Sequence, residues 1–236
     1  FEVEAGVYWN EKEMVLKLEL NSAIQDADFT GQVPFGRDTL YQGEEAVSQK
    51  WLAVNGKDRA LAVMGDGGYG SSLRGNVLGL TVLRSAVHSA AHCQKLRTLE
   101  EERFVPRMDQ GERIFKWVFE AGGPQLTEGI CNRALAWNEK PYALPFNASG
   151  NGEKPGILYT IDNPAVVVSA LKKAESGDGY ILRIYESEGK PQQANILFPG
   201  LDIREEIALK PFEIVTCLLS SKTRTLVKTQ LLESDV

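Results

Sequence analysis

Histidine is nearly missing from this 236-residue chain, where His88 and His92 are the only two. Chemistry that needs a histidine base or several imidazole ligands therefore has little to draw on. Cysteine is also scarce: Cys93, Cys131 and Cys217 are scattered, odd in number and form no CxxC pair. That excludes a disulfide framework and fits a reducing compartment. No GxSxG elbow occurs, so a hydrolase of that type is not indicated. No run of 18 apolar residues is found, so no membrane span is expected. Positive charge is not in excess, with 26 Lys and Arg against 32 Asp and Glu and a formal charge of −6. A sequence-independent nucleic-acid binder would show the opposite balance. The opening "FEVEAGVYWN" has neither the basic n-region nor the apolar h-region of a signal peptide. The lack of such a peptide leads us to expect a cytoplasmic location, and the start inside a strand pattern leads us to expect a portion of a longer polypeptide.

What is present is period-two alternation. Hydrophobic residues make up 43% and charged residues 25%, as in ordinary globular proteins. "MVLKLEL", "NVLGLTVLRS", "RIFKWVFE", "AVVVSALKKA", "EIVTCLL" and "TLVKTQLL" all read as strands. Between them stand the turn signals "GDGGYGSS", "EAGGPQ", "ESGDG" and "ESEGKP". The pattern predicts an all-β protein built as sandwiches. Short helices are expected only within residues 44–54, 96–104 and 126–137. The breaker-rich "FNASGNGEKPG", residues 146–156, reads as a linker. We therefore expect a large β-sandwich domain over residues 1–155 and a small one over 156–236.

Candidate chemistry is sparse. His88 and His92 are four apart, which on a helix would share a face as a zinc pair does. No HExxH glutamate or third histidine accompanies them, and a solvated loop is the simpler reading. "GDGGYG" lacks the GK[ST] of a phosphate loop and reads as a hairpin or glycine-rich corner. Asn147-Ala148-Ser149 matches a glycosylation triplet that matters only in a secreted protein. "YILRIYESEG" is the most puzzling stretch. Tyr180, Leu182 and Ile184 alternate with Ile181, Arg183 and Tyr185, yet a strand needs neither Arg183 in its middle nor Glu186 at its exit. From the residues alone, no complete catalytic constellation is visible.

The order of phrases adds more. "VPFGRD", "GEEAVSQKWLAV", "ALAVMGDGGYGSSLRGNVLGLTVLRS" and "MDQGERIFKWVF" resemble the C-terminal β region of glycoside hydrolase family 38, the retaining α-mannosidases. Members of that family share a tryptophan-centred strand, a DGxYG turn, an LxLTLLRS strand and a DxGxHxFxY-like strand in this order. Arg113 stands here where many members have histidine. "VVVSALKKAESGDGYILRIYESEG" and "LKPFEIVTCLL" are similar to phrases of the family's small terminal sandwich. The resemblance runs from about Val33 to Leu219.

It implies a large antiparallel supersandwich of the galactose-mutarotase type, followed by a small β-sandwich. It also implies that catalysis belongs elsewhere, in an N-terminal barrel that holds zinc and is followed by a helical bundle. The two carboxyl groups of a retaining mechanism, about 5 Å apart, would lie there. No catalytic residue, metal ligand or cofactor is assigned to this chain, which alone is expected to be inactive. Its expected partners are that barrel and bundle and the mannoside substrate of the parent, with no nucleic acid and no membrane; self-association is left open. Substrate-contacting candidates are Asp66, Tyr69 and Arg74 of the "GDGGYGSSLRG" turn, then Arg84 and Asp109. Arg183 and Glu186 fall in a framework phrase. Two other readings stay open: an autonomous carbohydrate-binding module using Trp9, Trp51, Trp117 and Trp137, and a mutarotase-like enzyme using a histidine with a glutamate.

Overall fold

The computed structural model describes residues 1–86, 107–143, 145, 150, 156–175, 177 and 179–233. His88, His92, Cys93, the glycosylation triplet, the expected helix at 96–104 and most of the 146–156 linker lie outside them. By its internal contacts the chain forms two compact units. One comprises Phe1–Gly31 with Thr39–Leu126, the other Gln32–Asp38 with Thr127–Val236.

The first unit is built on two sheets. Strands β1 (Glu2–Trp9), β3 (Asp28–Val33), β4 (Gly36–Thr39), β6 (Trp51–Asn55), β7 (Ala60–Gly65) and β10 (Gly111–Gly122) make a six-stranded sheet in the order β1-β10-β7-β6-β3-β4, of which residues 32–33 and 36–38 count with the second unit. Strands β2 (Val15–Asn21), β5 (Ala46–Val47), β8 (Gly70–Arg74) and β9 (Val77–Arg84) make a four-stranded sheet in the order β2-β9-β8-β5. The core between them contains Phe29, Leu52, Val54, Val63, Leu73, Leu78, Leu80 and Trp117. Residues 44–54, expected as helical, are β5 and β6 instead. Trp51, Leu52, Ala53 and Val54 are all buried, so this strand is covered on both faces and reads as a continuous apolar run. Such a run carries no alternation to distinguish it from a buried helix.

The second unit is smaller in its sheets. Strands β11 (Thr160–Ile161), β14 (Gln192–Phe198) and β15 (Ile203–Leu209) form one, in the order β11-β14-β15. Strands β12 (Val166–Lys173), β13 (Tyr180–Glu186), β16 (Ile214–Ser220) and β17 (Thr225–Thr229) form the other, in that order. Leu182, Ile184, Ile196, Phe198, Ile207, Val215 and Cys217 fill the space between. The one α-helix among the described residues, α1 (Ile130–Asn138), falls where the sequence placed its third short helix. Each large apolar side chain buried here contributes roughly 1.5–3 kcal/mol. Cys131 and Cys217 are free thiols in the interior, and burial pushes Cys217 up to about 11.

Candidate functional site

The "GDGGYG" stretch is a corner between sheets. β7 ends at Gly65 in the six-stranded sheet and β8 starts at Gly70 in the four-stranded one. Residues 66–69 carry the chain across. Asp66 extends the sheet: its amide donates to the Lys116 carbonyl at 3.3 Å, and its Oδ1 accepts from the Lys116 amide at 3.2 Å. Tyr69 is tied by its carbonyl, which accepts from the Ser48 amide at 3.0 Å, while its side chain is 60% exposed.

The other candidates lie elsewhere. Arg74 closes the five-residue β8, so its backbone is roughly 16 Å from that of Tyr69 at strand spacing. Arg84 ends β9, and its amide donates to Asp109 Oδ2 at 3.2 Å. Asp109 Oδ1 also pairs with Arg113 Nη2 at 3.1 Å, from a residue in left-handed backbone. Arg113 is thus an ion-pair partner of Asp109. The structure brings Arg84 to Asp109, and Asp66 into one connection with Tyr69. It leaves Arg74 at the opposite end of its strand.

Arg74 has company that sequence reading missed. On the outer face of the four-stranded sheet, Lys17 Nζ reaches Glu45 Oε2 at 2.6 Å and Ser72 Oγ at 2.7 Å. The Thr81 hydroxyl donates to the other Glu45 oxygen. Glycine makes the crossing feasible. A Cβ at Gly79 would stand 3.2 Å from Lys17 Cε, and one at Gly70 would stand 2.8 Å from Glu45 Oε1. Partial burial raises the Glu45 pKa, but hydrogen bonds from Lys17 and Thr81 and the charges of Lys17 and Arg74 outweigh it, so the carboxyl is held below its ordinary value. The glycines of this face are occupied by the chain's own side chains. No spacing in the sequence links Lys17 to Glu45 or Thr81; only strand pairing does.

"YILRIYESEG" resolves as framework. Glu186 is fully buried. Its Oε1 accepts from the Glu188 amide at 2.7 Å, and its Oε2 from the amides of Gly189 at 2.7 Å, Lys190 at 3.2 Å and Phe212 at 3.0 Å. One carboxylate therefore fixes two turns. Phe212 sits in left-handed backbone (φ 57), where a non-glycine residue costs roughly 1–3 kcal/mol. A Cβ on Gly189 would come within 2.6 Å of its ring, so only glycine fits there. Glu188 Oε1 accepts from the Gly129 amide at 2.7 Å and lies 3.5 Å from Arg37 Nη2. Arg183, mid-strand in β13, donates from Nε to Thr216 Oγ1 at 3.1 Å and from Nη2 to the Leu231 carbonyl at 2.9 Å.

No group of His, Cys, Asp and Glu among the described residues is arranged to hold a metal ion. Among the described residues no helix is long and apolar enough to cross a membrane. Trp51 and Trp117 are buried, and Trp9 and Trp137 are half-buried.

Two family models match the chain: the glycosyl hydrolases family 38 C-terminal domain over residues 1–92 and the family's C-terminal beta sandwich domain over residues 165–206. The first begins ahead of Val33, where the phrases of the sequence had started the likeness. Alpha-mannosidase G of Dictyostelium discoideum is 25% identical over 198 residues, covering 79% of this chain and 17% of its own length. Human Alpha-mannosidase 2C1 is 25% identical over 248 residues, covering 90% of this chain and 22% of its own. The chain thus spans about a fifth of the curated relatives it matches. Among solved structures, an alpha-mannosidase from Enterococcus faecalis V583 superposes with a TM-score of 0.74 at 14% identity, over 91% of this chain and 27% of the other. A second, a protein in the Glycosyl Hydrolase Family 38 from the same species, gives 0.76 at 14% identity with the same coverage.

The fold is therefore of the β-sandwich class found in these solved glycoside hydrolase structures. The two domain models and the relatives narrow that class to one family. Domain models, relatives and solved structures together indicate that the chain is similar to the C-terminal region of glycosyl hydrolase family 38 alpha-mannosidases.

Proposed function

We propose that this chain serves as the non-catalytic β portion of an α-mannosidase, supporting a catalytic barrel and helical bundle that lie in other parts of the parent enzyme. The parent hydrolyses α-mannosides with retention, and a zinc ion belongs to its barrel. What carries this reading is the pair of C-terminal domain models on a chain that matches 17% and 22% of the length of relatives named as α-mannosidases. The buried network around Glu186 and the paired groups around Glu45 suit a scaffold, because their polar atoms are spent on one another.

Within that role, the corner at residues 66–69 is the part we assign to the wall of the sugar cleft. Tyr69 offers an exposed ring for stacking and Asp66 a carboxylate for hydroxyl groups. In the full-length enzyme, Tyr69→Ala is expected to lower kcat/KM several-fold on a mannoside while leaving the melting temperature nearly unchanged. Normal kinetics with a lower melting temperature would make the corner scaffold only.

A further inference from the structure

The small sandwich of the second unit carries a lysine and a phenol on an inner face. In the sheet β12-β13-β16-β17, Leu171 pairs with Leu182, which pairs with Cys217, and all three pack in the core. Side chains alternate with period two along a strand. Two residues further toward the same end, that face therefore presents Lys173, Tyr180 and Leu219, again paired in a row. Across from this row lie Phe198, the last residue of β14, and Gly200 and Leu201 of the short turn Pro199–Leu201. Between the two walls is a recess of about 690 Å³. Small-molecule pockets occupy roughly 300–1,000 Å³.

The recess is apolar within and cationic at its mouth. Leu171, Phe198, Leu201 and Leu219 line it, and Phe198 and Leu219 are continuous with the sandwich core. Ile157 and Leu158, which lead into β11, add to the wall and are 69% and 63% exposed. No carboxylate among the described residues lines it. Lys172 borders the recess, but its ammonium is held by Glu233 at 2.8 Å and Glu175 at 3.3 Å. Lys173 has no ion pair among the described residues. It stands at the mouth beside Tyr180, with Ser221 at the rim.

A sugar does not suit these walls, because leucine and phenylalanine offer its hydroxyl groups no partners and unpaired polar groups are costly away from water. An apolar chain with one negative end does suit them. We propose that this end of the small sandwich binds a fatty acid, its chain against Leu171, Phe198, Leu201 and Leu219 and its carboxylate at Lys173. Removal of the chain from water supplies most of the affinity. A charge-assisted hydrogen bond from the Lys173 ammonium orients the head, and the Tyr180 hydroxyl is a second donor at the same mouth.

Calorimetric titration of the full-length protein with dodecanoate, kept below its micellar concentration, tests this beside uncharged dodecanol. Dodecanoate is expected to bind at one site per chain, and more tightly than dodecanol. Lys173→Met keeps the stem and removes the charge; it should weaken dodecanoate about tenfold and leave dodecanol unchanged. Leu158→Asp alters an exposed residue, so folding is kept, and its carboxylate should abolish measurable binding of dodecanoate. Failure of the native protein to bind dodecanoate would overturn the proposal. Binding that both variants leave intact would overturn it too, because the fatty acid would then sit elsewhere.

Discussion

The two units contain the same raw material, a glutamate beside glycines at a strand's end, and use it in opposite ways. In the first, Glu45 stays half-exposed and pairs with Lys17 and Thr81 across a face where Gly70 and Gly79 leave room. In the second, Glu186 is removed from water and receives four backbone amides from two turns. The surroundings of the carboxylate decide its worth. In the exposed case the Coulomb gain is screened and the ordering of a long lysine offsets it. In the buried case every amide it receives would otherwise be orphaned in the interior.

The largest break in this comparison is expected at Glu186. A Glu186→Gln variant would turn an amide NH2 toward groups that are themselves donors, leaving at least one buried amide without a partner. A loss of about 3 kcal/mol or more in unfolding free energy follows, read by denaturant titration of the parent. A loss below 1 kcal/mol would mean that water replaces the carboxylate. Arg183→Ala comes next. It removes bonds to Thr216 and the Leu231 carbonyl from a side chain 22% exposed, and should cost roughly 1–3 kcal/mol. Lys17→Met should cost least, under about 1 kcal/mol, and its effect should shrink further in high salt. An effect as large as that of Glu186→Gln would erase the distinction between the two carboxylates.

Alternation made most of the fold legible. β2, β9, β10, β12, β13, β16 and β17 fall where period two placed them. β6 was missed because burial on both faces removes the alternation. Residues 44–54 show that a short apolar run does not declare its backbone. Arg183 and Glu186 were recognised as framework, but their partners were not readable: Thr216, Leu231 and Phe212 are 26 to 48 residues away. The Lys17–Glu45–Thr81 cluster had no local signature at all. The candidate site residues were drawn from phrases, which preserve order along the chain but not proximity. Arg84 and Asp109 meet only because β10 begins where β9 ends, and Arg74 falls away because β8 is extended.

The central claim is that hydrolysis belongs to the parent and not to this chain. The most direct measurement is turnover of an aryl α-mannoside by the full-length protein and by residues 1–236 alone, the latter shown by circular dichroism to be folded β. The account predicts hydrolysis by the full-length protein and none by the separate chain, with or without added zinc. Turnover by residues 1–236 that survives repurification would contradict it.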